Sequence, residues 1–299
     1  MVDGMALLPD PVTLLQVIIN GLLAGGIYSL VSIGLTLIYG TLDIVNFAHG
    51  EMLMVSMYIS YVLFMFMGLD PLLSMPICTF FLFLIGVATQ KLLINPVLRA
   101  PMQSQIFVTF GLLVFLQNLA LTIFSPDYKT ISTEYSAIPI RVGPILVSYP
   151  KFIAFVITIF LSGLLYLFLQ KTDTGRAIRA TAQDREAAEA LGINTSFIYL
   201  LTFGLGAACV GATGALISTY FYIFPRVGTV FSLTAFVVCV LGGMGNYVGA
   251  FTGGLIIGIA EAVGGFLIDP KFKQVVSFII FIVILLFKPE GIFGKALRE

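Results

Sequence analysis

The chain has 299 residues, of which 59% are hydrophobic and 10% charged, and its mean hydropathy is +1.07. Soluble globular domains carry about 25% charged residues, so the composition excludes an ordinary soluble domain and indicates a membrane protein. A formal net charge of zero gives no basis for nucleic-acid binding.

The opening stretch "MVDGMALLPDPV" has no basic segment and ends in prolines, so it does not read as a signal peptide. A membrane-crossing helix needs about 20 apolar residues. Runs between charges place candidate spans at 13–39, 51–68, 72–92, 106–124, 152–170, 197–223, 229–244, 248–268 and 272–287. "GLDP" (68–71), "FPRVG" (224–228) and "IDPKF" (268–272) mark junctions, because each joins a turn residue to a proline or a charge. Three stretches are more polar: 91–105, 125–151 and 171–196. The fold expected is an all-α polytopic membrane protein with about eight or nine crossings. It forms one membrane domain over 1–299, with one cytosolic loop at 171–196.

Lys and Arg in short loops set the orientation. If 171–196 is cytosolic, that side also holds 91–105 and the C-terminal tail. It then carries Lys91, Arg99, Lys171, Arg176, Arg179, Arg185, Lys288, Lys295 and Arg298, against Lys129, Arg141, Lys151, Arg226, Lys271 and Lys273 opposite. This bias places the C-terminus in the cytosol and, with nine crossings, the N-terminus outside.

Two polar or glycine-rich interruptions stand out. In "DIVNFAHGE" (43–51), Asp43, Asn46, Phe47, His49 and Glu51 lie between strongly apolar runs, and His49 is the only histidine. One reading is an interfacial turn, with Asp43 and Asn46 capping the next helix and Glu51 in its first turn. The other is a segment that folds back and lines a solute path between half-helices. The second interruption, at 242–249, contains Gly242, Gly243 and Gly245. Non-helical backbone at membrane depth survives only inside protein or beside a watery cavity. Paired breaks in two halves point to a path, although no sequence repeat is clear. Gly21 with Gly25, and Gly254 with Gly258, have the spacing that lets helices approach closely. Glu261 lies well inside an apolar run; such an acid is either functional or hydrogen-bonds neighbouring helices.

The loop "TDTGRAIRATAQDREAAEALGINTSF" (172–197) reads as one or two short helices. Asp184 is a good N-cap, Glu186 falls in the first turn and Gly192 closes the helix. Asn194 or Thr195 then caps the next span. Ile178, Ala187, Ala188 and Leu191 form a weak apolar face, which suits either a solvated linker or a docking surface for a soluble partner. Cys78, Cys209 and Cys239 sit in apolar runs and read as small core residues, with no metal-binding spacing. The chain has no G-x-x-x-x-G-K-[ST] motif and no convincing nucleophile–base set, so it is not expected to be an enzyme.

"GLTLIYGTLDIVNFAHGEMLMV" (34–55), "GRAIRATAQDREAAEALGIN" (175–194) and "LGGMGNYVGAFTGGLIIGIAEA" (241–262) together resemble the permease subunits of branched-chain amino acid ABC importers. The resemblance runs from about Leu14 to Gly294. It implies a multi-helix permease with a pseudo-repeat and a central path in the bacterial inner membrane. It also implies a second permease, usually different, two ATP-binding subunits and a periplasmic or lipoprotein solute-binding protein. ATP and Mg would bind those ATPase subunits, and this chain would bind no cofactor. Glu186-Ala187-Ala188-x-x-x-Gly192 is similar to the family's ATPase-coupling motif, with Arg176 and Arg179 just upstream. Where many such motifs continue Ile-x-Leu-Pro, this chain has "FIYLL" without proline. The candidate path residues, from the interruptions above, are Asp43, Asn46, Phe47, His49, Glu51, Gly242, Gly243, Gly245 and Glu261. The implied cargo is leucine, isoleucine or valine; relatives that carry urea, short amides or aromatic acids share these motifs. An ion-coupled carrier with Asp43, His49, Glu51 and Glu261 as a proton relay, or a passive channel, is the rival class.

Overall fold

The computed structural model describes residues 10–136 and 138–294. The residues most relevant to the signal-peptide reading, and Lys295 and Arg298 of the tail, lie outside that range. Every predicted span becomes a helix. In chain order these are α1 (Pro11–Leu42), α2 (His49–Met67), α3 (Pro71–Thr89), α4 (Met102–Phe124) and α5 (Tyr149–Lys171). The polar loop supplies α6 (Asp173–Gln183) and α7 (Arg185–Ala190). Then come α8 (Thr195–Ile217), α9 (Val227–Gly242), α10 (Tyr247–Leu267) and α11 (Lys273–Phe287). Among the described residues, eight helices are long and apolar enough to cross a membrane, and α9 is a shorter apolar ninth.

Local chemistry sets the boundaries. α1 starts on Pro11, whose missing N–H costs nothing in a first turn. Gly68, at φ +64°, ends α2, and Asp70 caps α3 by accepting from the Leu72 amide at 2.8 Å. The 125–151 stretch departs from the all-helical expectation. It holds a hairpin, β1 (Pro139–Val142) and β2 (Ile145–Ser148), paired antiparallel from Pro139↔Ser148 to Val142↔Ile145. Gly143, at φ +59°, makes its turn. Ile145 and Val147 bury against Leu23 of α1, which pins the hairpin to one end of the bundle. α6 and α7 occupy the opposite, loop end.

Small residues decide which helices touch. Gly21 and Gly25 of α1 lie against Gly258 and Gly254 of α10, so the two glycine pairs read from the sequence pack on each other. Ser29 locks this seam by donating to the Phe251 carbonyl at 2.7 Å. α3 and α8 form a second antiparallel seam, with Gly86 against Gly204 and Ala207, and Gly211 against Cys78 and Leu82. α9 runs beside α1, where the Cys239 thiol lies 2.9 Å from the Thr36 hydroxyl and donates to the Ser32 carbonyl at 3.3 Å. α2 runs beside α8 in the same way, with the Ser56 hydroxyl donating to the Gly211 carbonyl. Exchanging α1 with α8, α2 with α9 and α3 with α10 maps one set of pairings onto the other with the chain direction reversed. The fold therefore contains an inverted pseudo-repeat that the sequence does not display.

The repeat has an unusual central element. α1 ends at Leu42, and the chain then doubles back, because the His49 ring lies 3.0 Å from the Val31 carbonyl, about 16 Å of helix earlier. α2 thus begins inside the bundle. α8 likewise ends at Ile217, and Ser218–Arg226 returns the chain so that Gly228 of α9 meets Gly50 of α2. α2 and α9 start at one buried point and run in opposite directions.

The α1–α10 seam sets a clear test. A Cβ at Gly258 would fall on the Gly25 and Gly21 backbone, whereas one at Gly163 meets nothing within 4 Å. Gly258→Val is expected to destabilise the protein by about 1–3 kcal/mol or more, and Gly163→Ala to cause no loss. Thermal melts of the purified variants, followed by size-exclusion chromatography, would check this; equal melts would refute the close seam.

Candidate functional site

The buried meeting point of α2 and α9 is built from backbone groups that need partners. The first amides of a helix have no intrahelical acceptor, and here they open inside protein. Asn46 serves the approach: its side-chain oxygen accepts from the Ala48 amide at 3.1 Å and its carbonyl from His49 at 3.2 Å. The Gly50 amide donates to the Ser232 hydroxyl of α9 at 2.9 Å. Thr109 of α4 donates to the Val45 carbonyl at 3.2 Å. Gly50 has no room for a Cβ, which would meet the Gly228 carbonyl and Ser232.

His49 and Glu51 are both buried and face opposite ways. His49 turns toward α1. A carbonyl only accepts, so the Nε2 that faces Val31 carries the proton. Glu51 turns toward α4 and α9. Its Oε1 accepts from the Gln117 amide at 2.9 Å and the Thr229 hydroxyl at 3.1 Å, while Oε2 lies against Gly228 without a hydrogen bond. Neutral donors and the α2 N-terminus are the groups that favour this carboxylate. Gln117 and Thr229 carry no special signal in the sequence, and only the packing assigns them here.

The other residues of the 43–51 stretch disperse. Asp43 does not cap α2; it ends α1 in the left-handed conformation, φ 55°, and faces the loop end. Phe47 is 38% exposed and points out of the crossing. The proposed relay of Asp43, His49, Glu51 and Glu261 is therefore not assembled as one chain of groups.

The glycines at 242–249 also sit elsewhere than a path requires. Residues 243–246 turn between α9 and α10 at the loop end. Gly242 packs on Gly249, Gly245 on Gly40, and Gly243 on Glu290 and Gly294, with φ +94° at Gly243 and +84° at Gly245. The Ile292 amide donates to the Leu241 carbonyl at 2.8 Å and ties the C-terminal segment to this turn. Close backbone packing accounts for these glycines. The re-entrant mate of 43–48 is 218–226, where "FPRVG" reads from sequence as an ordinary junction.

Two cavities flank the crossing. One, of about 430 Å³, lies at the hairpin end and is lined by Tyr28, Lys151, Tyr220, Phe231, Glu261 and Lys273 among others. Glu261 is buried there and held by three neighbours. Tyr28 donates to its Oε2 at 2.9 Å, Ser277 to Oε1 at 2.6 Å, and the Lys273 ammonium lies 3.2 Å from Oε2. It both joins α1, α10 and α11 and faces the cavity, so the two sequence readings coexist. The second cavity, of about 300 Å³, lies at the loop end between Thr41–Asp43, Gln105, Thr181–Arg185 and Tyr199.

α6 and α7 form a ledge beside this second cavity. Asp184 accepts from the Ala187 amide at 2.9 Å, Gly192 takes φ +83°, and Asn194 accepts from Phe197 at 3.1 Å. These caps are the ones the sequence predicts. Thr195 and Arg185 hydrogen-bond Glu189 and hold its carboxyl below the usual carboxylate range. The Arg185 guanidinium also lies over the Tyr199 ring, 5.4 Å from its centroid. The expected apolar face divides: Ile178 and Ala188 bury inward, while Ala187 and Leu191 are exposed with Glu186. Arg176 pairs with Asp173 and Arg179 with Gln170 on the exposed side.

Residues 17–285 match the family described as the branched-chain amino acid transport system, permease component. The high-affinity branched-chain amino acid transport system permease protein BraD of Pseudomonas aeruginosa is 34% identical over 301 residues, covering 96% of this chain and 98% of that protein. The high-affinity permease protein LivH of Escherichia coli is 32% identical, covering 94% of this chain and 96% of its own. The probable branched-chain amino acid transport permease protein LivH of Methanocaldococcus jannaschii is 30% identical, covering 89% and 88%. No solved structure matches the chain.

The Glu261 cluster yields a stability prediction. Lys273→Met removes the ammonium from a buried carboxylate and is expected to cost about 2 kcal/mol. Adding Glu261→Gln should recover most of that loss, because no uncompensated charge remains. Chemical or thermal denaturation of the single and double variants measures it; a Lys273→Met protein as stable as wild type would remove the ion pair's role.

Proposed function

The chain belongs to the branched-chain amino acid transport permease family, and from that premise we propose that it is the membrane-spanning subunit of an ATP-driven importer for leucine, isoleucine and valine. The Lys and Arg bias puts the loop end in the cytosol, with the C-terminus inside and the N-terminus in the periplasm. A second permease pairs with this chain, and a periplasmic or lipoprotein binding protein delivers solute at the hairpin end. Two ATPase subunits, which bind ATP and Mg, dock on the exposed side of α7 around Glu186, Ala187, Leu191 and Gly192, with Arg176 and Arg179 beside them. This chain itself hydrolyses nothing.

One observation carries the reading. The loop-end cavity is walled on one side by Thr181–Arg185 and on the other by Thr41–Asp43. Asp43 begins the link that climbs to His49, Gly50 and Glu51. Movement of α7 therefore reaches the α2 start through a few packed residues, and α2 touches α9 there. Separation of these two helix starts is the step that lets a solute pass. The opposed orientations of His49 and Glu51 favour this ATP-driven mechanism over a proton relay.

Glu186→Arg reverses a charge on the exposed ledge and contacts no core residue. In proteoliposomes containing the full importer, it is expected to lower ATP-driven leucine uptake at least about tenfold while the permease still assembles. Unchanged uptake would sink the coupling role of α7. His49→Ala is expected to slow transport or alter the preference among leucine, isoleucine and valine. Wild-type rates and preference in the same assay would reduce His49 to a packing residue.

A further inference from the structure

The hairpin-end cavity has a charge composition that its structural role does not explain. It is lined by three ammonium side chains, Lys151, Lys271 and Lys273, and one carboxylate, Glu261. Lys273 is paired with Glu261. Lys271 is exposed. Lys151 is half-buried at the start of α5, above the Tyr220 ring at 5.9 Å, and makes no ion pair among the described residues. A half-buried ammonium without an anion is costly to hold. Its ammonium lies over an aromatic ring and has no ion-pair partner in the cavity among the described residues.

The rest of the lining is apolar and of the right scale. Leu23, Ile27, Phe221, Val230 and Phe231 supply the walls, and about 430 Å³ falls within the range of small-molecule sites. Glu261 has about four acceptor positions as a carboxylate and uses three of them, on Tyr28, Ser277 and Lys273. One acceptor position remains beside the excess of ammonium groups. We infer that this cavity seats the transported solute, with Lys151 taking the carboxylate of a free amino acid and the walls taking its branched aliphatic side chain. The remaining acceptor position of Glu261 receives the α-ammonium. This assignment rests on the importer reading above and adds to it the place and the chemistry of solute recognition within the permease.

The seat is also mechanically placed. Val230, Phe231 and Thr234 of its wall belong to the first turns of α9. That helix starts against Gly50 and Glu51 of α2, so an occupant touches an element that has to move for passage.

Equilibrium binding of radiolabelled L-leucine to the assembled importer tests this. The complex is placed in phosphatidylcholine nanodiscs, without binding protein or nucleotide. Saturable binding is expected, about tenfold weaker in Lys151→Gln and near wild type in Lys151→Arg. Leucinamide, which lacks the carboxylate, and glycine, which lacks the apolar group, should compete poorly; 4-methylpentanoate should compete in part. Equal binding by wild type and a folded Lys151→Gln, or equal competition by leucinamide and leucine, overturns the seat. ATP-driven leucine uptake, measured with binding protein on the same preparations, separates the two readings. Uptake without any binding at the cavity refutes the seat and leaves the importer. Neither uptake nor binding refutes both.

Discussion

Backbone amides and carbonyls have to be satisfied by protein wherever lipid excludes water. Helices normally meet that demand by ending at the membrane surface, where water serves the last turn. α2 and α9 do not; each begins deep in the bundle. Much of the centre of the molecule follows from this. Asn46, Ser232 and Thr109 supply the hydrogen bonds that water would otherwise make, and Gly50 and Gly228 let the two starts approach within backbone contact. Glu51 rests at the positive end of α2 with Gln117 and Thr229 as donors. The polar groups at this depth are thus tied to the geometry of two helix starts.

The surrounding helices hold that arrangement by packing rather than by polarity. Lipid chains are as apolar as leucine, so close contact and interhelical hydrogen bonds do the work that the hydrophobic effect does in water. The glycine seams of α1 with α10 and of α3 with α8 are two copies of one solution, related by the inverted repeat. Charge is placed sparingly. Glu261 is accompanied by Lys273, Tyr28 and Ser277 and so is stable where it lies. Lys151, by contrast, faces the cavity without a counter-ion. The contrast between these groups, lining the same cavity, is the basis of the proposed solute seat.

The proposed coupling to ATPase subunits rests on the build of the loop end. α7 is short, and it is held by the Asp184 cap and the Arg185–Glu189 pair. Its inward residue, Ala188, is buried, and its outward residues are open to a partner. The link from Asp43 to Ala48 is non-helical, with Asp43 left-handed and a turn at Phe47–Ala48, and it joins the end of α1 beside the α7 ledge to the α2 start.

Much of this was legible in the residues. The apolar runs determined the helices, because their length and composition leave lipid as the only stable environment. Asp70, Asp184, Gly192 and Asn194 determined local boundaries, because capping depends on a few adjacent atoms. Gly21, Gly25, Gly254 and Gly258 announced close packing, though not that the two pairs would meet. Tertiary structure decided what depends on distant partners. It sent His49 and Glu51 to opposite sides of α2 and left Asp43 at the loop end. It gave the 242–249 glycines to backbone packing and placed the second re-entrant link at 218–226. The inverted repeat escaped the sequence because its two halves share a pattern of helix pairings, in opposite orientation, rather than residues. Lipid and packing accept many apolar side chains at one position, so a common architecture leaves little trace in the letters, while a hydrogen bond or a Cβ-sized gap is fixed only when two segments meet.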